Sequence, residues 1–209
     1  MGIEMIVEQL TMPDAEVVYV RCAFTDEESD RYLDQLQSDI AWRQETIKLF
    51  AKEIPQPRLT AWYGDAGAIY TYSNITNHPL PWTEALREIK ARCEAIAQTT
   101  FNSVLLNYYR DGQDSMGWHQ DNEPELGAEP IIASVSFGAT RHFQLRHKKR
   151  KDLETITLAL EHGSLLLMQG ATQSYWKHQL PKTTQSVGAR INLTFRLIRQ
   201  AQNQITKKN

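Results

Sequence analysis

The sequence predicts an α+β fold, with two N-terminal helices packed on the outside of a β-sandwich or jelly roll. Two observations carry this. Before residue 100, apolar residues recur at helical spacing in two stretches. From Ser103 onward they fall into short β-branched or aromatic runs separated by Gly, Asp or charged turns. A third observation sets the scale: 209 residues make one domain with a real core, spanning residues 1–209. Within it, residues 1–57 read as an N-terminal extension carrying a helix, and residues 58–198 as the main body.

Thr25-Asp26-Glu27-Glu28 has the form of a capping box, with Thr25 at the N-cap and Glu28 three residues on. Tyr32, Leu33, Leu36 and Ile40 follow at helical spacing and place the first helix. Pro55 and Pro57 mark the next stretch as loop or edge strand, because proline cannot donate to a ladder. Pro81 suits a first helical turn, and Leu86, Ile89, Cys93 and Ile96 give the second helix an apolar stripe. Strands are expected at Ser103–Tyr109, Ile131–Phe137, His142–Arg146, Thr155–Leu160, Ser164–Met168 and Arg190–Ile198. The mouth of a jelly roll, where strands of two sheets converge, suits a metal site.

The formal net charge of −2 excludes a protein that grips nucleic acid by bulk charge, so any polyanion must meet a local patch. Cys22 and Cys93 are far apart, with no Cys or His at ligand spacing, and read as idle or buried thiols in a reducing compartment. The first residues carry acids and no long apolar stretch, and no run approaches a membrane span. A monomer with no membrane partner is expected, in the cytoplasm, or in the nucleus of a eukaryote.

The chemistry concentrates in Gly117-Trp118-His119-Gln120-Asp121. On a strand, His119 and Asp121 point to the same face, and distant His178 completes a set of two imidazoles and one carboxylate. That set leaves open positions on a non-haem Fe(II) centre; zinc also accepts such ligands. The last strand then discriminates. Alternation puts Arg190, Asn192, Thr194 and Arg196 on one face and Ile191, Leu193, Phe195 and Leu197 on the other. A face with two arginines is costly to bury unless anions pair with it, and one small dicarboxylate serves both through forked hydrogen bonds. Zinc alone leaves both arginines without a role. Asn107 and Tyr109 share a face on another strand and add hydrogen-bond donors.

Taken together, Asn107-x-Tyr109, His119-x-Asp121, His178 and Arg190-x-Asn192-x-x-x-Arg196 resemble the signature of the AlkB family of Fe(II)/2-oxoglutarate dioxygenases. The resemblance runs from about Arg58 to Ile198 and includes Tyr63-Gly64-Asp65 and Ala133-Ser134-Val135-Ser136-Phe137-Gly138. It is nearest to the nucleic-acid repair branch that includes the human duplex-DNA repair homologue. It implies a double-stranded β-helix core preceded by a nucleotide-recognition segment. It also implies His119, Asp121 and His178 as iron ligands and catalytic centre. Asn107, Tyr109, Arg190, Asn192 and Arg196 would hold 2-oxoglutarate, with Thr194 on the same face. Arg190 and Tyr109 would take the distal carboxylate, and Arg196 and Asn192 the keto-acid end. The implied requirements are Fe(2+), 2-oxoglutarate and O2. The implied activity is oxidative demethylation of N-alkylated bases in DNA, such as 1-methyladenine and 3-methylcytosine, releasing formaldehyde, succinate and CO2. The same chemistry on RNA, protein or a small molecule is the alternative.

A base inside a duplex must be flipped out and stacked to be reached. Tyr70 and Tyr72 share a face, and Glu123 follows Asp121 by two. In the resembling repair enzymes these positions, with Ser73, line the base pocket. Leu49-Phe50 matches the region where the duplex-repair relative carries an apolar wedge, so Phe50 is the expected gap-filler. Arg141, Arg146, His147, Lys148, Lys149, Arg150 and Lys151 form a hairpin-tip patch suited to phosphates. Lys182-Thr183-Thr184 replaces the basic triplet of the duplex-repair relative, which weakens the local phosphate grip and leaves single-stranded DNA or RNA open.

Overall fold

The computed structural model describes residues 5–49, 52–68, 70–72 and 75–199. The first part of the chain forms β1 (Val7–Leu10), β2 (Glu16–Val20), helix α1 (Asp26–Asp39), β3 (Thr46–Leu49), β4 (Lys52–Pro55), β5 (Leu59–Gly64), β6 (Tyr70–Tyr72), β7 (Ile75–Asn77) and helix α2 (Glu84–Ala97). The second part forms β8 (Ser103–Tyr109), β9 (Met116–His119), β10 (Ile132–Gly138), β11 (Arg141–His147), β12 (Ile156–Leu160), β13 (Ser164–Gln169), the one-turn helix α3 (Thr172–Tyr175), β14 (Trp176–Leu180) and β15 (Arg190–Arg196). A single 3-10 turn, Pro124–Leu126, lies between β9 and β10.

Among the described residues, the strands make a seven-stranded sheet in the order β1-β2-β13-β10-β15-β8-β5 and a four-stranded sheet in the order β12-β11-β14-β9. The chain is thus mostly β-sheet with few helices. Period-two alternation on β15 builds its layers. Ile191, Leu193 and Phe195 turn outward to a core with Tyr32 and Leu36 of α1 and Leu86, Ile89 and Cys93 of α2. The other face of the large sheet sends Tyr19, Ile132, Leu166 and Met168 against Phe143, Leu145, Leu160, Trp176 and Leu180 of the small sheet. Each fully buried Leu, Ile or Phe adds roughly 1.5–3 kcal/mol to this packing. Arg190, Asn192, Thr194 and Arg196 share that inner face and are buried with it.

The capping box at α1 is complete: Thr25 Oγ1 accepts from Glu28 N at 3.1 Å and Glu28 Oε2 from Thr25 N at 3.0 Å. Helix α2 starts later than Pro81 implies. Thr83 caps it, its hydroxyl accepting from Leu86 N at 3.2 Å. Tyr32 donates to Glu88 at 2.8 Å and ties the helices together. At Gly138, φ is +89° and an added Cβ would lie 2.3 Å from the Ala189 carbonyl, so only glycine fits the β10–β11 turn.

Several elements lie outside the sequence expectation. The hairpin β1–β2 extends the large sheet from the N-terminal extension, and β5 joins its other end beyond Pro57. His178 sits in the middle of strand β14, which is not among the strands expected from the sequence. Strand β9 ends at His119, so Asp121 lies two residues past the ladder.

Candidate metal and co-substrate site

His119 and His178 are cross-strand partners on β9 and β14, and this pairing sets them side by side. Their ring centroids are 4.2 Å apart at 72°. Phe143 stacks on His178 at 5.3 Å and closes its far side. Asp121 swings in from the chain leaving β9, and one ligand atom from each of His119, Asp121 and His178 lies within 4.8 Å of the others. His119 Nδ1 lies 2.8 Å from the Gly117 carbonyl. A carbonyl only accepts, so Nδ1 carries the proton and Nε2 keeps its lone pair for a metal.

Electrostatics favour the ligating forms. Burial, with His119 beside it, pushes the His178 imidazolium down to about 3. Burial likewise lowers His119. Burial opposes the Asp121 carboxylate, yet its charged surroundings, the Arg196 guanidinium first among them, hold its pKa below the usual range. Two neutral imidazoles and a carboxylate result. Arg196 Nη2 donates to Asp121 Oδ1 at 2.7 Å, which leaves Oδ2, 3.8 Å from His178 Nε2, on the metal side.

Opposite this set, β15 lies between β8 and β10. Arg190 faces Tyr109, and Asn192 faces Asn107 in the ladder. The Arg190 guanidinium sits 5.3 Å from the Tyr109 ring and donates through Nη2 to Ser136 Oγ at 2.9 Å. Burial pushes its pKa down to about 10, with Tyr109 partly offsetting this. The Nε atoms of Arg190 and Arg196 are buried without a hydrogen-bond partner. Two buried cations with orphaned donors fit an anion that enters the site. Arg58 Nε donates to Asn107 Oδ1 at 2.8 Å, which turns the Asn107 NH2 away from Arg58. Asn192 Nδ2 donates to Ser134 Oγ and to the Val135 carbonyl, both at 2.9 Å, and its Oδ1 accepts from Thr194 at 3.2 Å.

One cavity is lined by His119, Asp121, His178, Asn107, Tyr109, Arg190, Asn192, Thr194 and Arg196. Leu105, Met116, Ser134, Phe143, Met168 and Leu180 complete its wall, and sequence reasoning missed them. Ser134 and Ser136 carried a usable signal, since they are in phase with inward-facing Ile132. Glu123 is not among the lining residues; it precedes the 3-10 turn, its carbonyl accepting from Leu126 N at 2.9 Å. Tyr70 and Tyr72 lie on β6, paired with β7, and their side chains fall outside the described residues, as do Phe50 and Ser73.

The hairpin-tip patch is smaller than the sequence implies. Arg141 is buried at the opposite end of β11, donating to the carbonyls of Asp111, Asp114 and Pro181. His147 is buried too, and its Nδ1 accepts from Lys149 N and Arg150 N, bracing the tip from within. Arg150 pairs with Asp152 at 2.6 Å. Arg146 stays exposed and lies over the Trp118 ring at 4.3 Å.

Two imidazoles on one sheet, a carboxylate on the chain leaving it, and buried arginines facing them from the other sheet define the site of a metal-dependent oxygenase with an anionic co-substrate. A sequence model of the 2OG-Fe(II) oxygenase superfamily matches residues 16–196. The chain belongs to that superfamily and, within it, to the AlkB family. It is 47% identical over 179 residues to mouse alpha-ketoglutarate-dependent dioxygenase alkB homolog 3, covering 82% of this chain and 62% of that protein. It is 39% identical over 180 residues to human DNA oxidative demethylase ALKBH2, covering 82% of this chain and 69% of that one. The chain thus spans about three-fifths of the alkB homolog 3 length. The solved structure of OsALKBH1 superposes with a TM-score of 0.63 at 16% identity, over 92% of this chain and all of that one, and shares the fold. The superfamily works with Fe(II), 2-oxoglutarate and O2, and the residues present fit that requirement.

Proposed function

We propose that this chain is an oxidative demethylase of N-alkylated bases in DNA, with 1-methyladenine and 3-methylcytosine as representative lesions. The observation that carries the reading is the single cavity in which three metal-type ligands meet six polar residues on two neighbouring strands. Membership of the AlkB family, with relatives named DNA oxidative demethylase, supports the substrate class.

His119 Nε2, Asp121 Oδ2 and His178 would hold Fe(II). When bound, iron with O2 and 2-oxoglutarate supplies an oxidation that yields succinate and CO2 and hydroxylates an N-methyl group. The hydroxymethyl base then loses formaldehyde and is restored. The protein orients the reactants. Arg190, beside Tyr109, takes the distal carboxylate of 2-oxoglutarate. Arg196, already at Asp121, lies at the metal end, where the keto acid belongs. Asn107 offers its NH2, and Asn192 and Thr194 shape the wall between. Phe143 and Leu180 make the cavity apolar on the other side, which strengthens each charged contact.

For the base, Tyr70 and Tyr72 are the proposed stacking residues, with Ser73 and Glu123 at the pocket edge and Phe50 as the wedge. Arg146, Lys148, Lys149 and Lys151 meet phosphates. The test is turnover of oligonucleotides carrying 1-methyladenine or 3-methylcytosine as single-stranded DNA, duplex DNA and RNA. Formaldehyde release that depends on Fe(II) and 2-oxoglutarate is expected on DNA. Turnover on RNA alone would reassign the substrate, and no release from any of the three would sink the reading.

A further inference from the structure

Strand β9 stops at His119, so the Asp121 N–H has no ladder partner, yet Asp121 is only 3% exposed. A buried N–H left unpaired is rare and costly. Gln173 accepts it: Asp121 N donates to Gln173 Oε1 at 2.9 Å, and this contact is buried. Gln173 lies in α3, five residues before His178, and is itself 1% exposed. Its amide has one available orientation. Nε2 donates to the Met168 sulfur at 3.5 Å, and a thioether only accepts, so Oε1 must face Asp121.

The mount is rigid. Gly170 turns the chain at φ +53°, where an added Cβ would meet Glu16 Oε1 at 2.8 Å. Thr172 Oγ1 accepts from Glu16 N at 3.0 Å and donates to the Gln169 carbonyl at 2.5 Å. The turn carrying Gln173 is therefore fastened to β2 and β13 of the large sheet. Asp121 is held at two points, its backbone by Gln173 and its Oδ1 by Arg196. Only Oδ2 remains for a metal.

We infer that Gln173 is a positioning residue of the metal centre, acting through the Asp121 backbone and not by touching metal or substrate. This rests on His119, Asp121 and His178 forming that centre. Residues that orient metal ligands in this way typically contribute about 10–100-fold in metal affinity.

The experiment measures Co(II) binding to the full chain, by calorimetry and by the visible absorption of the bound ion, beside thermal unfolding without metal. Q173L keeps the bulk and removes both hydrogen bonds; Q173N shortens the side chain by one methylene and withdraws the oxygen from Asp121. Both are expected to weaken Co(II) about 10–100-fold and to alter its absorption. Their metal-free unfolding should remain cooperative. Should Q173L not fold, Q173N carries the test. Co(II) binding by both variants within threefold of wild type, with an unchanged spectrum, overturns the inference. Failure of the wild-type chain to bind Co(II) would instead overturn the metal centre itself.

Discussion

Arg190→Met tests the co-substrate reading most sharply, because it predicts two opposite effects from one substitution. Arg190 is 2% exposed, its Nε has no partner, and burial has moved its pKa from the ordinary guanidinium value to about 10. That displacement corresponds to about 3 kcal/mol of unfavourable charge burial. The bond to Ser136 Oγ returns about 1 kcal/mol. Methionine fills similar volume without charge, so the ligand-free variant should be more stable than wild type by about 2 kcal/mol, a rise of about 4–8 °C in a domain this size. Binding should move the other way. Removing one partner of a buried, hydrogen-bonded charge pair costs about 2–5 kcal/mol, so 2-oxoglutarate should bind at least about 30-fold more weakly. The assay is thermal unfolding with Mn(II) replacing iron, with and without 2-oxoglutarate at about 100 times the wild-type dissociation constant. Wild type should gain about 2.7 kcal/mol from the ligand, and R190M under about 1 kcal/mol. A variant that melts well below wild type while keeping the full ligand-induced gain would refute the assignment and make Arg190 a structural residue.

Other outcomes follow from the same geometry. H119A and D121A should each abolish formaldehyde release while their far-ultraviolet circular dichroism stays unchanged; near-normal turnover by either would displace it from the metal. T25A removes half of the capping box and should lower stability by about 1 kcal/mol in denaturant unfolding, with turnover unaffected. Asp114 accepts from Arg110 N, Nε and Nη2. Burial opposes its carboxylate, but Arg110, with help from Arg141, outweighs this and holds its pKa below the ordinary value. A depressed folded pKa gives stability that is full above the unfolded value and is lost as pH falls through the folded one. D114N should therefore cost about 1–2 kcal/mol at pH 7 and flatten the acid side of the stability profile; an unchanged acid limb would contradict the assignment.

The chemistry of this site was legible because strand alternation is a sequence property. Placing Arg190, Asn192, Thr194 and Arg196 on one face required only counting by two, and the apolar alternate face fixed which side was core. The helices were legible for a similar reason, since Thr25 and Glu28 stand at capping distance ahead of a periodic apolar stripe. Strand β14 was obscured because α3 interrupts the chain just before it and it is only five residues long. The overcount of exposed cations at the hairpin was avoidable. Arg141 and His147 are in phase with Phe143 and Leu145, so alternation already pointed them inward. What no local pattern contains is the partner that satisfies a buried inward arginine. For Arg141 those partners are carbonyls from the loops after β8 and β14, distant in sequence.

The same limit explains why Gln173 went unread. Its importance is defined by where β9 stops, and that stop is set by the cross-strand pairing of His119 with His178, not by residues 119–121 alone. The two histidines belong to the small sheet, the arginines to the large one, and Asp121 is where the sheets meet. Arg196 reaches it from β15, and Gln173 reaches it from a turn fastened to β2. A carboxylate gripped from the opposite sheet at both backbone and side chain cannot take its ligating position until the sheets have packed. Metal affinity at this site should therefore track the packing of the two sheets against each other, and metal should bind the folded chain far more tightly than the unfolded one. Bound metal should accordingly slow hydrogen exchange at both β9 and β15, although only β9 and β14 carry histidine ligands. Protection confined to the small sheet would show that Asp121 does not couple the two.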